Sequence, residues 1–167
     1  RAMFYNILKD VVEYASPTLN YPEAIHPLTG GGVIGDGHHG WAAAEVLSAM
    51  RDAFVFEKNY YSIESIELIL LSGIPKEWFL KEKELSIINA QILSGTISII
   101  IIYEKNQIKV TIKYISNTIY KDETFKIILP FKIKSTNQIS YYGLISINDN
   151  ETTLKLSAAS MDLVFDV

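Results

Sequence analysis

Apolar positions recur at helical spacing near the start of the chain and at two-residue spacing through most of the remainder. Between residues 1 and 15, Phe4, Ile7, Leu8, Val11, Val12 and Ala15 fall on one side, with Lys9, Asp10 and Glu13 on the other. That is the pattern of an amphipathic helix. Ser16-Pro17 ends it, because the residue before a proline is pushed out of the α region. From Thr18 to Gly40 there is no periodicity, only a run rich in Pro, Gly, Asn and His. A structureless stretch of that length inside a compact domain is usually a functional loop. A second helix is predicted from about His39 to Glu57, with Trp41, Ala44, Leu47, Met50 or Arg51, and Phe54 at helical spacing. Asp36 and the amides near Gly37 to Gly40 are its candidate capping elements.

Beyond Lys58-Asn59 the pattern turns to β. Candidate strands are Ser65 to Leu71, Glu84 to Ala90, Gly95 to Tyr103, Gln107 to Ile115, Thr124 to Ile133, Ser140 to Ile147, Thr152 to Leu156 and Met161 to Phe165. Turn residues separate several of them, as in Ser72-Gly73-Ile74-Pro75, Lys105-Asn106 and Asn148-Asp149-Asn150. Lys109 to Tyr114 alternates cleanly, as a half-buried strand should. Seven or eight short strands in sequence imply an antiparallel β-sandwich. The expected class is therefore α+β: a helical hairpin over residues 1–60, then a β-sandwich domain over residues 61–167.

Composition sharpens that boundary. All three histidines (His26, His38, His39) lie in the first forty residues, and six of the nine glycines fall between Gly30 and Gly40. The later part is rich in isoleucine, lysine and threonine and reads as scaffold. With 15 basic and 19 acidic residues the net charge is −4, which argues against a nucleic-acid partner, because phosphate contacts need a basic footprint. There is no cysteine, so thiolate metal sites, disulfides and cysteine nucleophiles are excluded. The longest aliphatic run, Ile97 to Tyr103, is far short of the roughly 18–20 residues a membrane helix needs, so no membrane role is expected. The N-terminus lacks the layout of a signal peptide. It begins at Arg1, already inside a predicted helix, and we expect the chain to be a piece of a longer protein.

The most specific segment runs from Asn20-Tyr-Pro-Glu through Gly35-Asp-Gly-His-His-Gly-Trp-Ala-Ala-Ala-Glu45. It resembles the last helical hairpin of the six-hairpin (α/α) barrel glycoside hydrolases. That superfamily includes glucoamylases, glycogen-debranching glucosidases, processing α-glucosidases and α-L-rhamnosidases. Leu70-Leu-Ser-Gly-Ile-Pro-Lys-Glu-Trp-Phe79 and Ile87 to Gly95 are similar to the connection into the C-terminal β domain of such enzymes. Gln91-Ile92-Leu93 stands where relatives tend to carry a Pro-Thr pair. The resemblance implies a parent enzyme that hydrolyses glycosidic bonds with inversion and without a cofactor. It places Glu23 at the general-base position, with Asp36 as the second choice.

The residues support a carbohydrate site on their own terms. Carboxylates and imidazoles hydrogen-bond vicinal hydroxyls, and aromatic faces pack on the C–H surface of a sugar ring. Glu23, His26, Asp36, His38, His39 and Trp41 supply those groups, with His26, His38, His39 and Trp41 as the candidate substrate contacts. Each also has a plainer reading. Glu23 could bond loop amides, Asp36 could cap the second helix, and Trp41 could be core. Adjacent His38 and His39 diverge at a helix start, and a metal site needs three or four convergent ligands, so no metal is expected. The glycines match no phosphate-binding motif. An inverting pair needs carboxyls about 6.5–9.5 Å apart, and the partner acid would come from an earlier hairpin. The chain alone is therefore expected to be inactive, with its helices covered by missing hairpins or by a neighbouring chain. The alternative is a non-catalytic β-sandwich module that binds glycans or a protein partner.

Overall fold

The computed structural model describes residues 2–34, 39–58, 67–81, 84–117, 124–136, 144–148, 151–155 and 160–167. Among them are three helices and twelve short strands in three sheets, an α+β arrangement. The chain divides into two compact units that meet at Met50/Arg51, within the second helix.

In the first unit, α1 (Ala2–Glu13) is followed by a turn, a two-stranded hairpin of β1 (Ala24–Ile25) and β2 (Gly32–Ile34), and then α2 (Gly40–Phe54). The turn after α1 is knitted by short polar side chains. The Ser16 hydroxyl accepts from the Asn20 amide at 3.0 Å, and Leu19, at φ 57°, donates to the Ser16 carbonyl at 2.8 Å. Ser and Asn compete with the helix for backbone partners in this way. The hairpin occupies the stretch that shows no periodicity in the sequence. Turn chemistry builds it: His26 donates its amide to the Gly31 carbonyl at 2.8 Å and accepts at its own carbonyl from Gly30 at 2.9 Å. Gly30, at φ +69°, lies beneath the Tyr14 ring, where any side chain would collide. This glycine makes room for one of the protein's own aromatic rings.

The helix predicted to Glu57 stops at Phe54. Its last carbonyls lack intrahelical donors, as at every helix end. The Leu71 amide meets the Phe54 carbonyl at 2.8 Å, and the Gly73 amide meets that of Ala53 at 3.1 Å. The chain then continues as β3 (Val55–Lys58), a strand that the helical pattern conceals. It pairs with β4 (Glu67–Leu70), where Leu68 and Leu70 are fully buried. The short α3 (Lys76–Lys81) follows Pro75, and its Phe79 is buried.

The second unit holds two five-stranded sheets. One runs β5 (Glu84–Ile92), β6 (Gly95–Glu104), β7 (Gln107–Ser116), β12 (Ser160–Asp166) and β9 (Ser135–Thr136). The other runs β10 (Leu144–Asn148), β11 (Glu151–Lys155), β8 (Thr124–Ile128), β4 and β3. Strict alternation drives the first: Ile97, Ile99 and Ile101 of β6 and Ile108, Val110 and Ile112 of β7 are buried, while Lys109 and Lys113 face water. Each buried aliphatic contributes about 1.5–3 kcal/mol relative to exposure. Tyr114 of β7 meets Phe125 of β8 edge to face at 5.8 Å, so apolar residues of the two sheets touch. The expected all-antiparallel pairing is corrected at one place, since β4 runs parallel to β8. The strand count also rises from the expected seven or eight to ten, because β3 and the two-residue β9 join these sheets.

Arg51 and Glu57 tie the start of this unit together. Arg51 donates to Asp52 at 2.8 Å, to Glu57, and to the Gln91 carbonyl at 2.9 Å; the other Glu57 oxygen accepts from the Leu93 amide at 2.6 Å. Burial opposes the Arg51 charge, but the bonds to Glu57 and Asp52 outweigh it and raise its pKa.

Candidate functional site

The first unit contains a cavity of about 480 Å³. Val11 of α1, the segment Tyr21 to Ile25, and Trp41, Ala42, Glu45 and Val46 of α2 line it. Two aromatic rings and two carboxylates thus open onto a largely apolar hollow, the usual make-up of a small-molecule site.

Two backbone bonds made by residues just before β1 bring the polar groups together. The His39 amide donates to the Tyr21 carbonyl at 3.2 Å, and the Glu23 amide donates to the Ile34 carbonyl at 2.9 Å. The first ties the start of α2 to the segment before the hairpin, and the second closes the hairpin itself. His39 is also the residue whose carbonyl accepts the first bond of α2, from Ala43 at 3.1 Å. As a result the His39 Nε2 lies 3.4 Å from a Glu23 carboxylate oxygen. The same Nε2 accepts from the Trp41 indole Nε1 at 2.8 Å. The two rings meet edge-on with centroids 5.5 Å apart. His39 Nδ1 is buried with no hydrogen-bond partner among the described residues.

The candidate residues separate into three groups. Glu23 and Trp41 line the cavity, and His39 bridges them. Trp41 is 64% exposed, so it is not core, and its indole is accessible to a ligand. His26 lies elsewhere: its Nδ1 accepts from the amides of Leu28 at 3.2 Å and Thr29 at 3.3 Å, which makes it a brace of the hairpin turn. Asp36 and His38 lie outside the described residues. Sequence reasoning gave no role to Glu45, which stands one helical turn beyond Trp41. Its i, i+4 relation to Trp41 puts the two on one face of α2 and was the available signal.

Among the described residues no group of three or more His, Asp or Glu side chains could hold a metal ion, and no helix is long and apolar enough to cross a membrane. No family model matches the chain, and no curated protein or solved structure shows significant similarity to it.

Proposed function

We propose that this chain supplies the last helical hairpin and the C-terminal β domain of a glycosidase of the six-hairpin type, with Glu23 as general base of an inverting hydrolysis. The observation that carries this reading is the joint placement of the Glu23 carboxylate and the exposed Trp41 indole on one cavity, beside the sequence pattern around them. Trp41 would pack on the sugar ring, and Glu45 would orient hydroxyls from the neighbouring helical turn. Glu23 would take a proton from the attacking water while an acid from another hairpin protonates the leaving oxygen. With one half of the pair, the chain alone binds sugar but does not turn it over. In this reading the two five-stranded sheets form a β-sandwich, and further hairpins or a neighbouring chain cover the first unit. Support for such a cover comes from Met3, Ile7, Leu28 and Leu47, all more than half exposed.

Two measurements test it. Saturation-transfer NMR with a panel of oligosaccharides should show binding to the chain that Trp41→Ala abolishes. In the polypeptide carrying the upstream hairpins, Glu23→Gln should lower kcat by about 10²–10⁴ with KM little changed. Binding without hydrolysis by that longer polypeptide would favour a non-catalytic glycan module. Absence of both binding and hydrolysis would overturn the carbohydrate reading.

A further inference from the structure

One ring nitrogen of His39 has two competing neighbours. The Trp41 indole N–H, at 2.8 Å, needs a lone pair on Nε2; the Glu23 carboxylate, at 3.4 Å, needs a proton there. Both demands cannot be met at once, because a neutral imidazole nitrogen is either donor or acceptor and an imidazolium nitrogen is donor only. We propose that His39 is a positioning residue that alternates between two partners. In its neutral form it holds Trp41 and leaves the Glu23 carboxylate unclamped; as imidazolium it binds Glu23 and releases the indole.

The geometry also fixes where the neutral proton lies. With Nε2 accepting from Trp41, the proton of neutral His39 is on Nδ1. His26 is the reverse case, since its Nδ1 accepts from two backbone amides and its proton is therefore on Nε2. Two histidines in one hairpin region thus carry opposite tautomers, and each serves as the control for the other. Among the described residues, Glu23 in the lead-in to β1 is the titratable group against His39; Tyr21 and, on α2, Glu45 line the cavity that Glu23 shares, and no lysine or arginine is among its described lining residues. If Glu23 is the base of the proposed reaction, the alkaline side of this exchange is the competent one. That last step alone rests on the glycosidase reading.

The test is ¹⁵N NMR of the labelled chain across the neutral range, with His39 assigned by His39→Gln and Trp41 separated from the second tryptophan by Trp78→Phe. At alkaline pH, His39 should show a protonated Nδ1 and a bare Nε2, and His26 the opposite. On acidification the Trp41 Nε1–H resonance should move in step with His39. Glu23→Gln should shift that transition toward acid by roughly 0.2–0.7 pH unit, as for a partly exposed ion pair. Trp41→Phe should shift the His39 transition the other way, by roughly 0.4–1 pH unit, as for one lost neutral hydrogen bond. An Nε2–H tautomer at His39, a Trp41 resonance indifferent to His39, or two variants shifting in the same direction would overturn the proposal. None of these readings depends on sugar binding or hydrolysis, so the carbohydrate reading can fail while this one stands.

Discussion

Residues 2–50 and residues 51–167 contain similar runs of apolar sequence but bury them very differently. In the second unit the alternating positions of β6, β7, β8 and β12 are buried isoleucine, leucine, valine and phenylalanine, with Tyr114 and Met161 among them. In the first unit Leu8 is the one buried apolar side chain among the described residues, and Leu47, on the apolar stripe of α2, is 68% exposed. What organises the first unit is polar: the Ser16–Asn20 turn, the His26 brace, and the Tyr21–His39 and Glu23–Ile34 backbone bonds. Periodicity therefore predicts which face of an element is apolar, not whether anything covers that face. The second unit buries its own pattern; the first leaves most of its pattern exposed among the described residues.

The largest expected effect breaks or confirms that contrast directly. Phe165 of β12 is fully buried, opposite Ile108 and Thr136. Phe165→Ala should cost about 3–5 kcal/mol. Leu47→Ala removes a comparable apolar side chain from α2 and should stay within about 0.5 kcal/mol. Urea unfolding followed by circular dichroism measures both. Similar losses would mean that the α2 stripe is covered in solution, and a concentration-dependent loss for Leu47→Ala would identify a second copy as the cover.

A subtler version makes the same chemical change in each unit. Gly95 opens β6 at φ +150°, and a Cβ there would strike the Ile115 carbonyl oxygen of the paired strand. Backbone must move to relieve that clash, so Gly95→Ala should destabilise by about 1–3 kcal/mol. Gly30→Ala places a methyl against the Tyr14 ring. That ring belongs to a side chain 45% exposed and can swing away, leaving chiefly the left-handed backbone cost of about 1–2 kcal/mol. The Gly95 effect should appear in global unfolding. The Gly30 effect should appear as faster amide exchange confined to the His26–Gly31 turn. A global effect at Gly30 would show the two units to be one cooperative whole.

The same contrast explains how much could be read in advance. β5, β6, β7 and β12 lie within about three residues of their predicted limits, because alternation and turn residues are local signals. The parallel partnership of β4 with β8 was hidden, since it joins residues more than fifty positions apart. β3 was hidden by Val55 and Phe56 continuing the apolar rhythm of α2, when the Leu71 and Gly73 amides in fact end that helix. In the site, Glu23, His39 and Trp41 were legible as residue types suited to sugars. That one imidazole nitrogen would sit between the other two was not, because two backbone bonds far apart in sequence set it. His26 shows the converse: the residue type was right for a ligand, but its Nδ1 is used by the turn.

The smallest expected effect lies at the edge of the second unit and separates the two units by pH. Asp166, at the end of β12, accepts from the Ser135 hydroxyl of β9 and from the Gln107 side-chain amide of β7 at 2.8 Å. The Ser135 bond first, then the Gln107 bond, hold this carboxyl below the usual aspartate range; desolvation opposes them, and the Lys134 charge adds the least. A carboxyl depressed on folding contributes stability that is present above its unfolded value of about 3.9 and is lost as pH falls through the folded one. Asp166→Asn should therefore be less stable than the parent at neutral pH, and the gap should close as pH falls below about 4. The group is solvent-exposed, so the gap is small and is best measured as a difference in urea midpoint between the two proteins at each pH. Any pH response of the His39–Trp41 contact in the first unit should be absent from the unfolding of the β6–β7–β12 sheet. A gap that widens toward acid would mean that Asp166 is destabilising in its charged form and that Ser135 and Gln107 do not hold it.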